Sequence, residues 1–175
     1  MSPTASLRAS AVVFVAAMLQ VVIVSSLVIG GGAPDLLLLV VVVLGLLRGS
    51  IPGAIFGFAG GVVVDLVTLG TLGVSSLVLT LAGFWAGRYA ETTGRDRRLA
   101  PVLAVGTITV LAAAFGFVLY YLLDEEVVAQ HALVTALAPA FVLNIMLALP
   151  VNALVRSIVG EGTGEEAAPE VEVLA

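Results

Sequence analysis

The chain has 175 residues, of which 61% are hydrophobic and 11% charged, with a formal net charge of −5. So little polar sequence remains that a water-soluble domain is excluded, as is a basic face for nucleic acid. With no cysteine there is no disulfide, thiol nucleophile or thiolate metal site. The acidity belongs mostly to one end: Glu161, Glu165, Glu166, Glu170 and Glu172 lie in the tail, and the remaining seven acids balance seven arginines.

Crossing a hydrocarbon core about 30 Å thick takes roughly 20 apolar residues of helix, and the chain offers several uncharged runs of that kind. A membrane barrel would show segments of about 10 residues alternating in polarity; the run 36–47 does not alternate, so the spans are read as helices. The first covers 9–29. A secretory signal has an apolar region of about 7–15 residues, shorter than this run, so an uncleaved span is expected. The second, 34–49, opens with Pro34 at a position that suits the first turn and Asp35 where the helix dipole favours an anion. It is short for a crossing, so its outer end is expected to be sunk into the bundle or met by a thinned bilayer. A Gly- and Pro-rich turn after Arg48 leads into the third span, 51–69, which carries Asp65. The fourth is 71–87, followed by a polar loop holding Arg88, Arg95, Arg97 and Arg98; the fifth is 99–123; the acidic loop Asp124, Glu125, Glu126 precedes the sixth, 131–155. Residues 1–159 thus form one transmembrane domain, and 160–175, rich in Glu, Gly, Ala and Pro, read as a disordered acidic cytoplasmic tail.

Six spans place Arg8, Arg48, Arg88, Arg95, Arg97, Arg98 and Arg156 all on one side. By the excess of basic residues in cytoplasmic loops, that side is the cytoplasm and both termini are inside. The arginines then need no further explanation, although those of the 88–98 loop also suit anionic lipid.

Gly45, Gly49, Gly53, Gly57 and Gly61 recur every four residues, which puts Gly53, Gly57 and Gly61 on nearly one face of the third span. Small residues at this spacing let two helices approach closely in lipid, either within the bundle, with Gly83 and Gly87 of the fourth span as mates, or against a partner. Asp65 has no arginine on its side, so it must be protonated, hydrated or bonded to groups such as Thr68, Thr71, Tyr120, Tyr121 or His131, either as a structural cap or polar lock or as a ligand, proton or partner site. Trp85, Tyr120, Tyr121 and the lone His131 read as interfacial residues, Asn144 as a hydrogen-bonding group between helices, and Pro150 and Asn152 as shaping the exit of the last span. No phosphate loop, zinc motif or nucleophile–base set is present, so neither catalysis nor a cofactor or metal is expected.

The order Pro34-Asp35-Leu36-Leu37-Leu38-Leu39, Leu47-Arg48-Gly49, Gly53-x-x-x-Gly57-x-x-x-Gly61-x-x-x-Asp65-Leu66, Gly70-x-Leu72-Gly73 and Ala86-Gly87-Arg88 resembles the rod shape-determining protein MreD family. The resemblance implies an all-α six-helix membrane bundle similar to the substrate-binding subunits of energy-coupling-factor vitamin transporters. It also implies a non-enzymatic inner-membrane subunit of the bacterial cell-elongation complex. Such a subunit binds MreC, works through it with RodA, a penicillin-binding transpeptidase and MreB, and helps direct lateral peptidoglycan synthesis. Pro34, Asp35, Arg48, Asp65 and the glycines would be architectural or partner-facing; the acidic tail is not part of the pattern. The competing reading is a vitamin-binding transporter subunit of similar build, with Asp65, Tyr120 and His131 near an outer pocket.

Overall fold

The computed structural model describes residues 3–26, 32–69, 71–93, 100–123 and 130–160. Arg95, Arg97, Arg98, the acidic residues 124–126 and the tail from 161 onward lie outside the described residues, as do the side chains of Tyr120 and His131. The described chain is all helical: α1 (Pro3–Ser26), α2 (Leu36–Arg48), α3 (Ser50–Thr68), α4 (Val74–Thr93), α5 (Ala100–Leu122) and α6 (Gln130–Val159), with no β-strand among the described residues.

Among the described residues, four stretches are long and apolar enough to cross a membrane: Thr4–Val22, Ser50–Thr68, Pro101–Leu119 and Leu137–Val159. The chain is therefore a membrane protein. α2, with 13 residues, is shorter, about 20 Å at the helical rise. α4 carries Arg88 and Glu91 in its last turns. Several helices outrun their apolar cores: α1 begins at Pro3 rather than residue 9, and α4 continues to Thr93 rather than 87. Arg8, Arg88 and Glu91 lie on exposed faces there, so helical hydrogen bonding continues with no charge driven inward.

α2 is the axis of the bundle. Every residue from Leu37 to Leu47 is buried, and α2 touches each of the other five helices. Around it the order is α1, α3, α4, α5, α6 and back to α1, the last seam being the sparsest. The reason lies in its composition. A helix apolar on all sides has no face to offer water, and a short one enclosed by longer neighbours leaves no polar end groups in lipid. The outer helices carry large exposed side chains such as Phe14, Phe58, Leu81, Leu111 and Met146, as expected for surfaces that meet acyl chains.

A single residue, Gly49, joins α2 to α3. Its backbone has φ +98°, which side-chain-bearing residues rarely adopt, and its amide donates to the Gly45 carbonyl at 2.8 Å while its own carbonyl accepts from Gly53 at 3.1 Å. Pro52 falls in the first turn of α3, where its missing amide costs nothing. Pro139 and Pro150 lie within α6, which remains one continuous helix.

Candidate functional site

The polar residues of the bundle gather around two features: the α3–α4 seam and the two ends of α2. The seam is made by the glycines. A Cβ at Gly57 would stand 2.2 Å from the Leu79 carbonyl oxygen, at Gly53 2.4 Å from the Gly83 oxygen, and at Gly61 2.4 Å from Ser76 Cα. On the opposing helix, a Cβ at Gly83 would meet the Gly53 oxygen at 2.1 Å and one at Gly87 would meet the Ser50 amide nitrogen at 2.2 Å. Gly45 of α2 faces the same Gly83 carbonyl, at 2.5 Å. Backbone therefore lies on backbone along the whole seam. All five glycines of the stripe and its mates, Gly53, Gly57, Gly61, Gly83 and Gly87, are buried inside the bundle.

Each end of the seam is closed by a carboxylate from the opposite helix. Asp65, 3% exposed near the end of α3, reaches the start of α4. Its oxygens accept from the amides of Gly73 (2.9 Å), Ser75 (3.2 Å) and Ser76 (3.3 Å) and from the Ser76 hydroxyl (3.1 Å). The first amides of a helix have no partner within it and carry its positive dipole end, so a carboxylate there satisfies both needs. Of the candidate partners, Thr68 instead donates its hydroxyl to the Val64 carbonyl, and Tyr121 is exposed.

At the far end the roles reverse. Glu91 of α4 accepts at Oε1 from the Ser50 amide (2.8 Å) and hydroxyl (2.9 Å), capping α3, and at Oε2 from Arg88 (3.3 Å). The Ser50 amide and hydroxyl, more than the exposed Arg88, hold the Glu91 carboxyl below the ordinary glutamate range. The helix pair is thus clasped reciprocally, α3 capping α4 and α4 capping α3. Glu91 escaped the sequence reading because it sits among arginines and looks there like a diluted basic loop.

The N-terminus of α2 is held from three sides. The helix begins at Leu36, so Asp35 is its cap, its Oδ1 accepting from the Leu38 amide at 2.9 Å, and Pro34 lies just before it, buried. Gln20 of α1 donates to the Pro34 carbonyl (3.3 Å) and accepts from the Leu36 amide (2.7 Å). Asn144 of α6, 1% exposed, accepts from the Asp35 amide (2.8 Å) and donates to the Thr109 hydroxyl of α5 (3.3 Å). α1, α2, α5 and α6 meet in this one network. Gln20 was missed as a site residue; the signal for it was a lone amide in an otherwise apolar run.

At the other end of α2, Arg48 donates through Nη2 to the Val159 carbonyl of α6 (2.8 Å), placing a cation against the C-termini of two helices. Its Nε is buried without an acceptor among the described residues. Arg156 bonds Asn152 at 3.4 Å one turn earlier in α6. Trp85 is exposed, packed edge to face with Phe84 at 5.9 Å. No group of three or more His, Asp or Glu able to hold a metal occurs among the described residues. The predicted residues therefore do not converge on one reactive centre. The structure distributes them over the seam and the two α2 ends, each against the backbone of a neighbouring helix.

No curated protein and no solved structure matches the chain. Residues 5–158 match the family model of the rod shape-determining protein MreD. That match spans every helix, including the α2 axis, the glycine seam and both carboxylate clasps, and by it the chain belongs to the MreD family.

Proposed function

We propose that this protein is a non-catalytic membrane subunit of the bacterial cell-elongation machinery, acting as a scaffold that binds MreC. Through MreC it would work with RodA, a penicillin-binding transpeptidase and MreB filaments to direct lateral peptidoglycan synthesis. It would cross the inner membrane six times with both termini in the cytoplasm, as the arginine distribution argues. The observation that carries the reading is the family match over residues 5–158.

The disposition of polar groups supports it. Asp65, Glu91, Asn144 and Gln20 are engaged in holding helices together, which suits a protein whose work is done by its outer surface. The glycine stripe is occupied within the bundle, so partner contacts are assigned to the lipid-facing sides and the loops. Tagged protein extracted in mild detergent should bring down a partner with one span and a large extracytoplasmic region, in near-stoichiometric amount. Intact, monodisperse protein emerging without such a companion would overturn the reading.

A further inference from the structure

The short central helix leaves space above its N-terminus. A half-open cavity of about 600 Å³ lies there, lined by Asp35 and Leu37 and by residues of α1, α3, α4 and α5. The walls are mainly apolar, including Val64, Val78, Ala112 and Phe117. Water fills a cavity only where it finds two to four free polar partners; the polar lining residues are Gln20, Asp35, Thr68 and Ser75, and Gln20 and Thr68 already bond within the bundle. A void of this size left empty would forfeit the dispersion contacts of every wall residue. Its volume lies in the range of small-molecule pockets, about 300–1,000 Å³, which are typically apolar with a few fixed polar groups.

Asp35 is the one ionisable side chain among the lining residues. Its Oδ1 is taken by the Leu38 amide, while Oδ2 has no donor among the described residues and no arginine lines the cavity. Asp35 lines the cavity, and the loop carrying it is fixed by Gln20 and Asn144. A site of apolar walls and one rigid, half-satisfied carboxylate is complementary to one ligand class.

We propose that this cavity binds a small amphipathic cation, with its apolar body against the walls and its ammonium group on Asp35 Oδ2. This reading goes beyond the scaffolding role and stands or falls separately from partner binding. The ammonium is supplied either by a free amine or by a lipid headgroup bearing one.

The test uses the full chain in phosphatidylglycerol nanodiscs, with empty nanodiscs subtracted, and 1-adamantylamine as probe beside the neutral 1-adamantanol. Saturable amine binding is expected, with the alcohol weaker by roughly tenfold or more, the span of one charge-assisted contact. Asp35→Asn keeps an acceptor for the Leu38 amide, and hence the cap, but should erase the preference for the amine. Gly116→Leu should abolish binding of both probes: a Cβ at Gly116 meets nothing nearer than Val78 at 3.8 Å, so the protein folds while the side chain fills the space. Phosphatidylethanolamine added to the nanodiscs lowers amine affinity if the source is a lipid headgroup and leaves it unchanged if the source is a free amine. Equal binding of amine and alcohol, amine affinity unchanged in Asp35→Asn, or no saturable binding would each overturn the proposal.

Discussion

Gly57→Ala adds one methyl group at the tightest point of the seam on α3. Its carbon would lie 2.2 Å from the Leu79 carbonyl oxygen, 2.6 Å from the Leu79 carbonyl carbon and 3.0 Å from the Thr80 nitrogen. Non-bonded heavy atoms rest at about 3.5–4.0 Å, so a gap of more than 1 Å must open. The obstructing atoms are all backbone, so no rotamer change relieves them. α3 and α4 must separate, which loosens the contacts at Gly53, Gly61, Gly83 and Gly87 together and strains the carboxylate clasps at both ends. Overpacking of this kind costs about 1–3 kcal/mol, and the shared seam favours the upper part of that range. Gly116→Ala is the matched control, because its Cβ meets nothing closer than 3.8 Å. It should stay within about 0.5 kcal/mol of the parent. Unfolding of both purified variants in mixed micelles with increasing SDS, followed by circular dichroism, gives the comparison. Gly57→Ala as stable as Gly116→Ala would refute the close-packed seam.

Asp65→Ala should cost about 3 kcal/mol or more, since it strands three helix-starting amides that now share one carboxylate. Asp65→Asn should fall between parent and alanine, read by the rate of proteolysis at the α3–α4 turn. Asn144→Leu should destabilise the fold by about 1–3 kcal/mol, because the part-buried Asp35 amide loses its acceptor, whereas Asn152→Leu, which gives up only the 3.4 Å contact from Arg156 in its own helix, should be nearly neutral; SDS titration separates them. Glu91 has its carboxyl held below the ordinary value of 4.5, so its stabilising contribution is complete above that pH and fades as the pH falls through the lowered value. The stability difference between parent and Glu91→Gln should therefore shrink on acidification below 4.5 and be constant from there to neutrality, as followed by thermal melts across pH.

Much of the architecture was legible from residue types. A uniformly apolar run from Leu36 to Leu47 has no face for water, and its shortness left two readings, an outer end sunk into the bundle or a thinned bilayer; burial of every residue from Leu37 to Leu47 agrees with the first. The four-residue spacing of glycines identified a face that tolerates close approach and offered Gly83 and Gly87 of the fourth span as mates, but the choice between them and an outside partner depends on contacts between segments far apart in sequence. Asp65 shows the same division. Its lack of a basic partner was readable, whereas its actual donors are mostly backbone amides, which every residue type but proline carries and no composition reveals. A carboxylate placed shortly before a Gly-containing turn and a Ser-Ser helix start was the available hint. Glu91 with Ser50 and Asn144 with Asp35 join residues 41 and 109 positions apart, distances over which local pattern carries no information. The cavity above α2 was invisible for the same reason, since it arises from the length difference between one helix and four others.

Cell shape in the protein's own host tests the central claim most directly. Removing the chain from a rod-shaped cell should turn rods into rounded cells as the protein disappears from the membrane, and re-expression should restore constant width. Cells that remain rods after the protein has fallen below detection would contradict its assignment to shape determination.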